Sequence, residues 1–232
     1  MLNEVLKDSV FFGVAISILA YYIGEKLREK WKLPVLNPLL IATVLVIGVL
    51  LLGHIDYEIY DQGAQYITFL LTPATICLAV PLYRQIDVLK KNVAAVVVSI
   101  LSGCIAHALI ILGIAAVFHV DQILTVSFLP KSVTTPIAIG ICGEMGGIQS
   151  VTVAGVVAAG ILGSVTGPAV FKLFQITEPV AQGLGFGTPS HAIGTSKALE
   201  TGEIQGAMSS LAIVVTGILT VVIVPVVVRF LQ

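Results

Sequence analysis

Leu129-Pro130-Lys131-Ser132-Val133-Thr134-Thr135-Pro136-Ile137-Ala138 decides how this chain is read. The stretch lies in a strongly apolar polypeptide, yet it holds two prolines, three hydroxyls and a lysine. An interior proline removes a backbone donor and clashes with the preceding turn, at a cost of roughly 3 kcal/mol, so no helix runs cleanly through it. In lipid, freed backbone groups must find partners, so broken backbone survives only inside protein or beside a water-filled cavity. A lysine at the bilayer centre costs about 2.5–3.5 kcal/mol on insertion scales, which calls for an anionic partner. The segment is therefore expected to be a polar site for an anion, buried in a membrane.

Composition supports a membrane setting. Of 232 residues, 11% are charged and 57% hydrophobic, and mean hydropathy is +1.04. A soluble domain carries about 25% charged residues. A net charge of −1 argues against nucleic acid as a partner. The length allows roughly six to eight passes of about 20 residues. No polar linker divides the chain, so one transmembrane bundle over 1–232 is expected, with a scaffold half (1–120) and a site half (121–232). Glu4 and Asp8 replace a basic leader, and the first apolar run ends in Gly24-Glu25-Lys26 without a small-residue cleavage site, so no cleaved signal peptide is expected. Cys77, Cys104 and Cys142 sit in apolar segments without metal-ligand spacing and are taken as small core residues; no metal or cofactor is called for.

Apolar segments fall near 9–24, 36–53, 64–82, 93–118, 122–142, 147–171, 179–195 and 207–231. The basic stretches Glu25–Lys32 and Arg84–Lys91 flank an acidic connection with Asp56, Glu58 and Asp61. The positive-inside rule then places both basic stretches in the cytoplasm and the N-terminus outside.

Beyond residue 121 the chain repeats itself. Thr135-Pro136-Ile137-Ala138-Ile139-Gly140 resembles Thr188-Pro189-Ser190-His191-Ala192-Ile193-Gly194, Ile148-Gln149 matches Ile204-Gln205, and Gly160-Ile161-Leu162 matches Gly217-Ile218-Leu219. Paired Gly/Pro-interrupted segments of this kind point to a transporter binding site. If each broken segment is a re-entrant hairpin, the two units are inverted; if each crosses fully, the repeats are parallel. The position of Lys172 favours opposed hairpins, which put it in the cytoplasm. The fold class expected is an all-α polytopic bundle with two broken elements in an inverted repeat.

Four dipeptides, Asn37-Pro38, Thr72-Pro73, Thr135-Pro136 and Thr188-Pro189, combine a good N-cap with a proline suited to the first helical position. Each can start a helix inside the apolar region, or simply kink an ordinary span. A half-helix N-terminus carries about half a positive charge and free N–H groups, suited to a carboxylate. Lys131 adds a full charge, unless it snorkels to the interface or pairs with Glu144. Ser132, Thr134 and Thr135 can donate to substrate oxygens or satisfy the broken backbone. In the second patch, 187–197, His191 is a candidate for proton coupling, because an unperturbed imidazole changes charge near neutrality, or a neutral ring bonded to a carbonyl. Lys197 supplies a second charge or marks the cytoplasmic edge. His107, an ionisable residue within the fourth apolar segment, is a site candidate by default, with a structural hydrogen bond as the favoured expectation. Glycines 146, 147, 155, 160, 163 and 167 permit tight helix contact. Lys131-Ser132 and Ser190-His191 resemble nucleophile pairs, but adjacent helical residues point about 100° apart and no third orienting group is evident, so no enzyme is expected.

Leu36-Asn37-Pro38-Leu39-Leu40, Pro81-Leu82-Tyr83, Leu129 through Ala138, Gly146-Gly147-Ile148, Ser190 through Thr195 and Ser209-Ser210-Leu211 together resemble the LrgB/CidB family of antiholin-like proteins. Its relatives include the plastid glycolate/glycerate transporter. One small departure is Ser196-Lys197, where some relatives carry Ala-Arg, which keeps the charge. The resemblance implies a bacterial inner-membrane protein paired with a small LrgA/CidA-type membrane protein. It also implies one of two roles: restraint of murein hydrolase activity and lysis, or transport of small monocarboxylates such as pyruvate, lactate or glycolate. Paired cap-proline motifs and a buried lysine suit the carrier. On that reading Lys131 and the helix starts after Thr135 and Thr188 hold the carboxylate, and Asn37 opens a further half-helix. Ser132, Thr134, Ser190 and Thr195 take hydroxyl or keto oxygens, and His191 couples a proton. A homo-oligomer is expected.

Overall fold

The computed structural model describes residues 9, 11–31, 36–70, 73, 76–77, 79–84 and 86–231. All regular structure among them is helical. The protein is an all-α membrane protein. Three helices, Lys90–Phe118, Gln149–Leu173 and Glu203–Arg229, are long and apolar enough to cross a membrane. Contacts group the chain into two compact units, Met1–Cys77 and Leu78–Gln232.

The first unit holds α1 (Phe12–Trp31), α2 (Pro38–Leu52) and α3 (Tyr57–Phe69). Gly13 lets α1 close on the backbone of Tyr60 and Ala64, where a Cβ would collide. Ala20, Ala42 and Val46 form its small core. Asn37 starts α2 as expected: its Oδ1 accepts from Leu39 N at 2.8 Å and Leu40 N at 3.3 Å, with Pro38 at the first helical position. The Thr72-Pro73 start involves Thr72, which lies outside the described residues. Cys77 is exposed, not a core residue, whereas Cys104 and Cys142 are buried.

The second unit holds α4 (Ala79–Arg84), α5 (Ile86–Phe118), α6 (Gln122–Phe128), α7 (Thr135–Glu144), α8 (Gln149–Leu173), α9 (Pro179–Thr201) and α10 (Glu203–Arg229). The quoted stretch breaks the chain between α6 and α7, where 129–134 form turns. Side-chain contacts give the directions. Thr152 Oγ1 donates to Ser127 O at 2.8 Å, and Phe128 and Lys131 crowd the Gly155 position, so α6 runs alongside α8. α7 runs back, with Ala138 packed on Val156 and Gly143 at Gln149. Residues 122–144 are thus a helical hairpin with its tip at 129–134.

α9 is a second hairpin. His191 breaks it with φ 40° and ψ −136°. Gly194 comes back against the carbonyl of Phe186, although eight residues of straight helix would separate them by about 12 Å. The first arm descends along α8, with Phe186 on Gly167 and Ser190 on Gly163. It runs with α10, where Gly183 meets Gln205 and Gly187 meets Ser209. α8 and α10 therefore run in opposite directions, and the two hairpins enter from opposite ends. Their tips meet on one stretch of α8, Gly155 to Gly160, about 9–17 Å inside its first residue by helical rise.

Candidate functional site

A cavity of about 580 Å³ lies between α5, the tip of the first hairpin, the first arm of α9 and α10. Lys131, Ser132, Thr188 and Pro189 line it, together with His107 on α5 and Thr216 and Thr220 on α10. Two residues on its wall stand out. Among the described residues, no carboxylate pairs with Lys131 and no hydrogen bond is made by its ammonium. Ser132 is only 6% exposed, and its hydroxyl has no partner. A buried, unpaired polar group is costly unless something completes it. Both atoms sit on the broken tip because 129–134 cannot be helical, which turns neighbouring side chains into the cavity.

α5 holds that tip in place. His107 Nε2 lies 2.9 Å from Leu129 O and must be the donor, since a carbonyl only accepts. This is the structural bond expected for His107, but the ring also forms part of the cavity wall. Thr188 Cγ2 approaches Gly103, where a Cβ would fall 2.9 Å away. A glycine there lets the second hairpin reach the cavity.

The other candidate residues are not on this cavity's wall. His191 is 4% exposed and gives Nε2–H to Val156 O at 2.9 Å. Thr195 Oγ1 donates to His191 O at 2.9 Å and shares a 2.7 Å hydrogen bond with Ser209 Oγ. Ser190 Oγ is buried without a partner, tucked against Gly163. Thr134 caps α7 without a side-chain hydrogen bond, and Thr135 begins that helix. Lys197 pairs with Glu200 at 2.8 Å. Asn37 belongs to the first unit. Thus Lys131, Ser132 and Thr188 are the members of that set brought together on the cavity wall.

One expectation about local structure needs correction. Thr188-Pro189 does not start a half-helix; the first arm of α9 runs on to residue 190 and breaks at His191. Thr135-Pro136 opens the second arm of its hairpin, whereas Thr188-Pro189 closes the first arm of the other. The two motifs match in letters and stand on opposite sides of their breaks. On α5 the one signal in the sequence is His107, an ionisable residue in an apolar segment; the rest of the α5 wall and Thr216 and Thr220 have none, because an apolar stripe looks like any packed face.

A profile of the LrgB-like family matches residues 17–230. The chain belongs to that family. This LrgB-like chain is 37% identical to the "Antiholin-like protein LrgB" of Bacillus subtilis (strain 168), over 96% of its own length and 97% of the relative's. It is 36% identical to proteins of the same name from Bacillus cereus (strain B4264) and Bacillus anthracis (strain CDC 684 / NRRL 3495), over 95% of its length and 96% of theirs. No solved structure matches the LrgB-like chain.

Proposed function

We propose that this LrgB-like protein carries small organic monocarboxylates, of the pyruvate, lactate or glycolate kind, across the bacterial cytoplasmic membrane, with its N-terminus outside. The observation that carries this reading is Lys131: a cation with no ion pair among the described residues, beside a buried hydroxyl likewise without a partner among them, on a cavity where two oppositely directed hairpins meet. A carboxylate there completes both groups. Paired broken elements entering from opposite ends also suit alternating access, in which one arm set moves against the rest around a fixed site.

A second reading rests on the names of the relatives, antiholin-like proteins. On it, the chain restrains murein hydrolase activity and lysis together with an LrgA/CidA-type membrane partner. Uptake of labelled pyruvate, lactate and glycolate into vesicles, with and without such a partner, separates the two. The carrier reading expects saturable uptake, and a Lys131→Ala variant that inserts normally but transports roughly 10- to 100-fold less, the worth of a hydrogen bond to a charged group at about 1.5–3 kcal/mol. No uptake of any acid under either condition supports the antiholin role.

A further inference from the structure

Resting on the carrier reading, we propose that the Thr216 hydroxyl on α10 binds a third oxygen of the cargo, an oxo or hydroxy group beside the carboxylate. Thr216 thereby selects oxo and hydroxy acids over the plain alkanoate of the same carbon skeleton. Among the described residues, three buried side-chain oxygens have no hydrogen-bond partner, those of Ser132, Ser190 and Thr216. Ser190 is not on the cavity wall; Ser132 and Thr216 both are. Thr216 is only 2% exposed. Cys104 of α5 lies against it, but a thiol is a weak hydrogen-bonding group and leaves the hydroxyl unpartnered.

Contacts set Thr216 within about a turn of both hairpins. A Cβ on Gly217, the next residue, would lie 3.0 Å from Ile137 Cδ1 in the first turn of α7. Gly187, in the first arm of α9, sits against Ser209 and Ala212, and Thr216 follows Ala212 on that face of α10. The count of polar groups then names the cargo. Lys131 and Ser132 complete the two oxygens of a carboxylate. Thr216 is left over, and a buried hydroxyl costs free energy until something bonds it. A hydroxyl both donates and accepts, so it takes an oxo or a hydroxy oxygen alike. Its oxygen is shielded as it stands. A helical threonine has two χ1 rotamers open to it, and with no hydrogen bond to break, the turn toward the cargo costs little.

The test compares acids that share one three-carbon skeleton. Propionate, lactate and pyruvate are titrated against uptake of labelled lactate by the full chain in vesicles. Lactate and pyruvate are expected to compete roughly 3- to 10-fold better than propionate, the worth of one net hydrogen bond. Thr216→Val keeps the branched shape and removes the hydroxyl. It is expected to bring the three acids level by weakening lactate and pyruvate without weakening propionate, and Thr216→Ser to keep the gap. Because no bond within the fold is lost, the unfolding midpoint of Thr216→Val in detergent should not fall. Equal competition in the wild type, a gap that survives Thr216→Val, or a lowered midpoint each overturns the role of Thr216 and leaves the carrier reading intact. Should valine prevent insertion, Thr216→Ala decides on the same readings. No uptake of any acid by the wild type fails the carrier reading itself.

Discussion

The two hairpins are built on one plan and finished differently. The tip at 129–134 stays open: its lysine has no carboxylate among the described residues and the Ser132 hydroxyl has no partner. The break at His191 is closed over. Its imidazole bonds Val156 O, its own carbonyl receives Thr195, and Thr195 is tied to Ser209 on α10. A positive φ at a non-glycine residue is strained and persists only where surrounding contacts over-determine it. Those bonds do so. The lesson is that similar sequence in two repeats does not assign similar work. One tip turns its unmet polar groups onto the cavity wall; the other bonds His191 and Thr195 into its own fold and keeps its one unmet hydroxyl, Ser190 Oγ, away from that wall.

Four substitutions press on that contrast, and midpoints of unfolding in detergent read all of them. The largest effect is expected from Gly187→Ala in the closed hairpin. Its Cβ would strike Ser209 O and fall 2.7 Å from Ala212 Cβ, and since backbone is the obstacle, overpacking should cost about 3 kcal/mol. A wild-type midpoint would break the account of how that arm seats on α10. His191→Ala comes next. It removes a buried bond to a carbonyl and should destabilise by about 1–3 kcal/mol, with His191→Asn recovering part as a smaller donor. Lys131→Met should go the other way, raising stability by about 1 kcal/mol or more by removing an uncompensated cation. A fall in its midpoint would mean that the ammonium is satisfied in the empty protein. Smallest is Gly140→Ala in the open hairpin. Nothing lies within 4 Å of the added Cβ, so a gain of about 0.5–1 kcal/mol is expected from helix preference alone.

Much of this is legible in the sequence for physical reasons. Single prolines at 168 and 225 are carried inside α8 and α10, but two prolines six residues apart with Lys131, Ser132, Thr134 and Thr135 between them weigh against a continuous helix, so a break near 129–134 within an apolar segment is legible from backbone chemistry. Inversion of the two repeat units is favoured on one lysine, and the opposed directions of α8 and α10 agree with it. The second break falls elsewhere than expected because a proline in the last turn of an arm is tolerated; what reverses the chain is His191 on Val156 and Gly194 on Phe186. Those are tertiary contacts with no local signature. Thr195 looks available as a polar side chain in an apolar segment, yet its hydroxyl is used up by His191 O and Ser209. Apart from His107, the cavity wall on α5 is silent too, since isoleucines facing a cavity, a core or lipid are written alike.

Gly155, Gly160, Gly163 and Gly167 bring both hairpins onto the same rod, with Lys131 above the first of them, His191 over the second and Ser190 over the third. The two broken ends therefore share a single abutment and cannot be adjusted independently. A roll of α8 by one residue, about 100°, would swing all four glycines away and drive side chains under both ends together. The seat of one hairpin tip is in this way mechanically geared to the seat of the other.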